Sequence, residues 1–360
     1  MLAPALCANA GILNLMQVSE HIPLAPYTTF GIGGPARWFI EASTEDDLLH
    51  AVRFAREQDV PLFVLGGGSN LLVSDAGFNG VVLHIALKGI EQDSCGNTTR
   101  FSVAAGEDWD AFVSRAVNQN CGGIECLAGI PGSVGGTPVQ NVGAYGQEIA
   151  ETILMVRVLD LQTLCFVQLS AAECGFAYRR SIFNDSQRGH YIVTRVNYEL
   201  RNDAPAALFY EDLKRYFHDA SSSPSLFEVS SAVREIRHGK GMLIVPGDSD
   251  CRSAGSFFKN PVISSAHFEQ IASKSDGAIV PHYPAANGQM KIPAAWLLDR
   301  AGFHKGYAMG RAGISSKHTL ALINRGGASA AEIATLRDTI VAKIAEKFAI
   351  HLQPEPVWVG

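Results

Sequence analysis

From Tyr27 onward, short apolar runs alternate with segments of helical periodicity. Residues 36–41 read as a strand, and Ser43-Thr44-Glu45-Asp46 follows with a capping hydroxyl and first-turn carboxylates. That start predicts a helix running through 48–56. The run Pro61-Leu62-Phe63-Val64-Leu65 is a buried strand that Gly66-Gly67-Gly68-Ser69-Asn70 ends abruptly. Strands at 80–85 and 100–105 lead to a helix at 109–119, and strands return at 153–159, 165–169 and 191–200. The last third predicts helices at 229–237, 294–301 and 329–348 and a strand at 319–323. Mixed order of this kind indicates an α/β or α+β chain.

Between these elements, residues 122–146 are Gly-rich, too irregular for a standard element and too long for an ordinary connector, which points to a functional loop. A composition shift between 203 and 227, softened by Ser222-Ser223-Pro224, predicts a domain boundary. Residues 1–20 form an apolar extension expected to be poorly ordered. Three units should follow, at 21–90, 91–226 and 227–348.

The length of 360 residues fits two or three such units. A hydrophobic fraction of 47% against 18% charged gives enough material for sizeable cores. The formal charge of −6 offers no basic excess for a polyanion, so nucleic acid is not expected as a partner. Seven cysteines occur without a CxxC pair, which suits a reducing cytoplasm. Eleven histidines form no HExxH-like pair, so no metal is expected; His318 is placed in a loop or at a strand end. The first basic residue is Arg37, so the N-terminal stretch lacks the charged start of a secretory signal and is too short to cross a bilayer. These features predict a cytoplasmic protein without a membrane partner, with a monomer as the default.

Candidate chemistry begins at the glycine loops. Gly66 to Asn70 presents backbone N–H groups with no Cβ in the way, a means of approaching phosphate closely. It is neither a Walker A loop nor a GxGxxG fingerprint, and taken alone it reads as a tight turn. A second loop, Ala128-Gly129-Ile130-Pro131-Gly132-Ser133-Val134-Gly135-Gly136-Thr137, again pairs glycines with hydroxyls. Two such loops could grip one pyrophosphate from both sides. Pro138-Val139-Gln140-Asn141-Val142-Gly143-Ala144-Tyr145-Gly146 adds amides and small residues suited to the edge and face of a flat ring such as isoalloxazine.

Together with Thr28-Thr29-Phe30-Gly31-Ile32-Gly33-Gly34 and Ala254-Gly255-Ser256-Phe257-Phe258-Lys259-Asn260-Pro261, these segments resemble the UDP-N-acetylenolpyruvoylglucosamine reductase family, in one order from about Leu24 to the C-terminus. The resemblance implies an α+β fold: two α/β subdomains of the vanillyl-alcohol-oxidase-type FAD-binding fold, plus a C-terminal α+β substrate-binding domain. Residues 349–360 would return to the first subdomain. It implies FAD, NADPH as hydride donor and a UDP-sugar substrate. No His lies between residues 51 and 83, where covalent relatives of that fold attach the flavin, so FAD should be noncovalent. Cofactor contacts are implied for Gly66, Gly67, Gly68, Ser69, Asn70, Ile130, Pro131, Gly132, Ser133, Gly135, Gly136, Gln140, Asn141, Gly143, Ala144 and Tyr145.

The resemblance also carries catalytic roles. Arg179 would hold the substrate carboxylate, since a guanidinium fork matches it in two bonds. Ser256 would deliver the proton, a weak acid tolerable because the carbanion it meets is a strong base. Glu355, held between Pro354 and Pro356, would polarise the enolpyruvyl group. Tyr178, Tyr210, Lys240, Lys259 and Asn260 would handle substrate, with Tyr210 marking the subgroup that has a Tyr-bearing loop over the site. The stretch from Gly241 to Ser256 is longer than the family pattern. Without the family, Arg179 reads as a surface residue, Ser256 as a turn and Glu355 as an exposed tail acid. The rival readings are a flavin-dependent sugar or alcohol oxidase and a non-catalytic nucleotide-binding module.

Overall fold

The computed structural model describes residues 17–206, 208–220, 222–274 and 279–360. Strand β1 (Val18–Pro23) runs antiparallel to β2 (Pro35–Ala42), whose Ala36, Phe39, Ile40 and Ala42 are buried. Residues 1–16 of the expected extension lie outside the described residues. Val18 to Glu20, assigned to that extension, are instead in β1, because the edge of β2 offers them a hydrogen-bonding partner. Thr44 caps α1 (Glu45–Glu57): its hydroxyl accepts the Asp47 amide at 3.1 Å while Asp47 accepts the Thr44 amide at 2.8 Å. β3 (Leu62–Leu65) ends at the first glycine loop, β4 (Leu71–Val73) leaves it, and β5 (Phe78–Ile85) lies parallel to both β2 and β3. The sheet order is β1-β2-β5-β3.

A second, antiparallel sheet follows. β6 (Ile90–Cys95) and β7 (Thr98–Ala104) precede α2 (Trp109–Asn118), which Asp108 caps by accepting the Ala111 amide at 2.8 Å. β8 (Ile153–Asp160), β9 (Phe166–Ser170) and β10 (Tyr191–Asn202) complete the order β9-β8-β10-β7-β6. Trp109, Phe112, Val113 and Ala116 bury one face of α2, with the Phe112 and Tyr198 rings 5.1 Å apart. After the short α3 (Glu211–Tyr216), α4 (Leu226–Gly239) starts in a Ser225/Glu228 capping box. Leu226, Val229, Ala232 and Val233 of α4 join the core of α2 and the second sheet. The boundary expected at 227 therefore falls inside a packed core: the apolar stripe of α4 faces α2, and the Ser-rich stretch before it is only a connector.

The third unit contains α5 (Ser265–Ser273), α6 (Ala294–Arg300), β11 (Ala312–Ile314), β12 (Leu322–Asn324) and α7 (Ala330–Phe348). Ile333, Leu336, Ile340 and Ile344 of α7 share a separate core with Leu297, Leu298, Phe257 and Phe258. The strand expected at 319–323 begins only at Leu322, because residues 318–321 form a turn closed by the Ala321 amide on the His318 carbonyl at 3.1 Å. After α7 the chain returns to the first unit as β13 (Val357–Val359), parallel to β4, with Val359 buried beside Leu65 and Val73. The molecule has the expected α+β character.

Candidate active site

The two glycine loops lie against each other. A Cβ on Gly66 would sit 2.6 Å from Ser133 Oγ, and one on Gly67 would sit 2.5 Å from Gly132 Cα. A side chain at Gly67 would strike backbone and force the loops apart, so glycine there is a requirement of close approach, whereas at Gly66 the Ser133 hydroxyl could turn aside. Asn70 ties the pair to the rest of the site: its amide donates to Gln140 Oε1 at 2.8 Å and to the Glu355 carbonyl at 3.2 Å. The Val357 amide donates to the Asn70 carbonyl at 2.9 Å, so the returning C-terminal segment is bonded to the first loop.

Arg179 sits at a left-handed position with φ 55°. Its Nη2 donates to the Gly143 carbonyl at 2.8 Å, and its Nε lies 3.5 Å from Glu355 Oε2. The two side chains are only 23% and 14% exposed, so the pair lies in a partly dry site. Burial pushes the Glu355 carboxyl above its usual range, against the pull of Arg179 and Lys259. Ser256 lies beside it in the backbone: the Glu355 amide donates to the Phe257 carbonyl at 2.9 Å, and Phe258 bridges Pro354. Arg179 from the second unit and Glu355 from the returning tail are thus paired, and the segment of the third unit that carries Ser256 is bonded to the Glu355 backbone.

Tyr145 and Tyr210 meet edge to face at 5.4 Å, and Lys240 Nζ lies 5.6 Å from the Tyr145 ring while donating to Asp212 Oδ2 at 2.6 Å. Burial raises the pKa of both phenols, so they remain protonated donors. Tyr178 is flanked by cations, Arg179 at 5.5 Å and Lys291 at 5.1 Å from its ring.

Three residues expected at the cofactor or substrate also make bonds inside the protein. Asn141 is buried, its amide donating to Glu148 at 2.8 Å and to the Ala177 carbonyl at 3.1 Å while its oxygen accepts the Ala150 amide. It thereby braces the turn that carries Arg179. Asn260 accepts the first amide of α6, from Ala294 at 2.9 Å, a capping role. Gly135 donates its amide to the Ala105 carbonyl at 2.9 Å, and a Cβ there would strike Ala105 at 2.6 Å, so it serves loop packing.

Other residues hold the site without having been singled out. Arg237 is half-buried, and the desolvation pulls its usual pKa down; Nε donates to the Gly129 carbonyl at 3.1 Å and Nη2 to the Met242 carbonyl at 2.7 Å. It fixes the second glycine loop from below, while Asp110 accepts the Gly129 amide at 2.5 Å. An Arg continuing the buried stripe of Leu226, Val229 and Val233 was the signal available in the sequence. Thr29 donates to the Ser253 carbonyl at 2.6 Å and Asn324 to the Phe30 carbonyl at 3.0 Å, joining the Thr28–Gly34 loop to the third unit.

Beside the first glycine loop runs a cleft of about 610 Å³ lined by Tyr27, Thr28, Thr29, Gly66, Gly67 and residues 244–248. Its size and its mixture of backbone donors, hydroxyls and apolar walls fit a dinucleotide cofactor such as FAD. No metal-binding cluster and no disulfide occurs among the described residues.

Comparison with known proteins agrees with this geometry. The model of an FAD binding domain matches residues 36–163, and that of the UDP-N-acetylenolpyruvoylglucosamine reductase C-terminal domain matches residues 246–359. The chain is 45% identical to the UDP-N-acetylenolpyruvoylglucosamine reductase of Thermobifida fusca, over 95% of this chain and 98% of that one. Against the protein of the same name from Streptomyces coelicolor it is 43% identical, over 99% and 94%. The crystal structure of the Thermus caldophilus reductase matches with a TM-score of 0.65 at 27% identity, covering 96% of this chain and 100% of that one. The chain belongs to the UDP-N-acetylenolpyruvoylglucosamine reductase family, FAD-dependent oxidoreductases of peptidoglycan precursor synthesis.

Proposed function

We propose that this chain binds FAD noncovalently and uses NADPH to reduce UDP-N-acetylenolpyruvoylglucosamine to UDP-N-acetylmuramate. The observation that carries the reading is the half-buried Arg179–Glu355 pair, 3.5 Å apart, with Ser256 fixed beside it by the Phe257–Glu355 backbone bond. A bound flavin supplies the hydride relay that no amino-acid side chain offers.

The chain's own residues do the rest. Arg179, already committed on one edge to Gly143 and Glu355, holds the enolpyruvyl carboxylate and stabilises the negative charge that arrives there. Glu355, paired with Arg179, lies against the same group and polarises it. Ser256 gives its proton to the carbon beside the carboxylate, and solvent restores it. Lys240 and Lys259 counter the diphosphate charge, and Tyr178 orients the substrate from between two cations. Tyr210, edge to face with Tyr145, covers the sugar as in the Tyr-loop subgroup. At the cofactor, Gly66 to Asn70 and Ile130 to Ser133 hold the diphosphate, with Gly136, Gln140 and the Gly143–Tyr145 segment nearer the ring.

The same reading makes the enzyme a cytoplasmic monomer with no nucleic-acid partner. Its nucleotide substrates are intracellular metabolites, both halves of the site come from one chain, and the net charge is −6. No helix among the described residues is long and apolar enough to cross a membrane. Incubation of the flavin-loaded protein with NADPH and the enolpyruvyl UDP-sugar, followed by mass spectrometry, tests it. One NADPH should be consumed for each product molecule heavier by two hydrogens; NADPH oxidation coupled only to oxygen, with the UDP-sugar unchanged, would contradict it.

A further inference from the structure

His318 lies in the turn before β12 and is half-buried, with Lys240 and Lys305 as the neighbouring charges. Its Nδ1 accepts the Leu320 amide at 3.1 Å, which places the ring proton on Nε2. The Leu320 carbonyl accepts the Phe257 amide at 2.8 Å, and the Phe257 carbonyl accepts the Glu355 amide at 2.9 Å. One imidazole therefore begins an unbroken row of bonds through three chain segments. The row ends at Glu355 and passes through the residue that follows Ser256.

We infer that His318 is a positioning residue: as a fixed acceptor it pins the Leu320 turn, and through it the backbone that aims Ser256 and Glu355 at the substrate. The inference rests on the catalytic roles proposed for those two residues. The bond exists only while Nδ1 carries no proton. Burial and the two neighbouring cations disfavour the imidazolium, so the acceptor is kept over the neutral range. Loss of this acceptor leaves the Leu320 amide unpaired in a buried turn and frees the Phe257 segment to shift. Displacement of a catalytic group by about 1 Å costs on the order of a hundredfold in rate.

His318→Asn and His318→Gln separate this role from others. The Asn oxygen occupies roughly the place of Nδ1 and can accept the Leu320 amide, whereas the longer Gln places its polar end near Nε2. The measurements are kcat and KM for the UDP-sugar, the rate of flavin bleaching by NADPH, and hydrogen exchange of the peptides spanning 254–260 and 318–323. His318→Asn should stay within about threefold of wild type in kcat. His318→Gln should lose at least about tenfold in kcat with KM little changed, bleach with NADPH at the wild-type rate, and exchange faster in both peptides. Wild-type activity and protection in His318→Gln would overturn the inference, as would equal losses in the two variants with KM raised and protection unchanged. If the wild-type protein bleaches but never turns over the UDP-sugar, the proposed function fails. The exchange comparison then still decides whether His318 pins the turn.

Discussion

The roles proposed for Ser256 and Glu355 differ at the residue scale, and their variants should separate cleanly. Ser256→Ala removes the proposed proton donor but little packing, so flavin content and bleaching by NADPH should match wild type while product formation falls about 10²- to 10⁴-fold. Stopped-flow absorbance of the two half-reactions checks this, and full turnover in the variant would remove Ser256 from the chemistry. Glu355 is a carboxyl whose folded pKa is raised by burial. A raised carboxyl pKa means its ionisation opposes folding: the contribution to stability is intact below its ordinary value and declines as pH rises through the folded value. Glu355→Gln should therefore keep or raise Tm at pH 7, with the gain over wild type shrinking toward pH 4, while kcat falls. A lower Tm at neutral pH would show that the Arg179 pairing outweighs the desolvation.

Loops and turns carry the constraints at the scale of elements. The first glycine loop is pressed on the second, so Gly67→Ala drives a methyl group toward Gly132 Cα. The overpacking should cost about 1–3 kcal/mol and lower the flavin-to-protein absorbance ratio of the purified protein. Unchanged Tm and flavin content would mean that the loops are not held in contact. In the turn before β12, burial and the two lysines pull the pKa of His318 down to about 4 from its ordinary 6.5. A depressed histidine pKa contributes stability above the ordinary value that is lost as pH falls through the folded one. The window is pH 6.5 to 4, and the full difference amounts to about 3 kcal/mol. Urea midpoints of wild type should drop across that window, and those of His318→Asn should drop less.

For the whole molecule, much of the architecture was legible because local signals and tertiary packing agree. The capped, acid-rich start at residues 43–46 and the helices expected at 109–119 and 329–348 lie close to the observed bounds of α1, α2 and α7. Elements that depend on a partner were not legible. β6, with the sequence Ile-Glu-Gln-Asp-Ser-Cys, is largely exposed and has no apolar period; it is a strand because β7 supplies its hydrogen bonds. The α4 boundary failed for a related reason, since a Ser- and Pro-rich stretch marks a connector but not which core the next helix enters. At the site, Arg179, Ser256 and Glu355 were singled out through their motif context, while the internal bonds of Asn141 and Asn260 were not legible because an amide's partners depend on which backbone groups the fold brings to it. Arg237 was missed although its place on a buried stripe was visible.

The central claim, that one cleft passes reducing equivalents from NADPH through FAD to an enolpyruvyl UDP-sugar, is most directly tested by the visible spectrum of the flavin-loaded protein without oxygen. Addition of NADPH should bleach the flavin absorbance, and addition of the UDP-sugar should restore it stoichiometrically with formation of UDP-N-acetylmuramate. Bleaching that no enolpyruvyl UDP-sugar reverses, in protein shown to bind that sugar, would contradict the account.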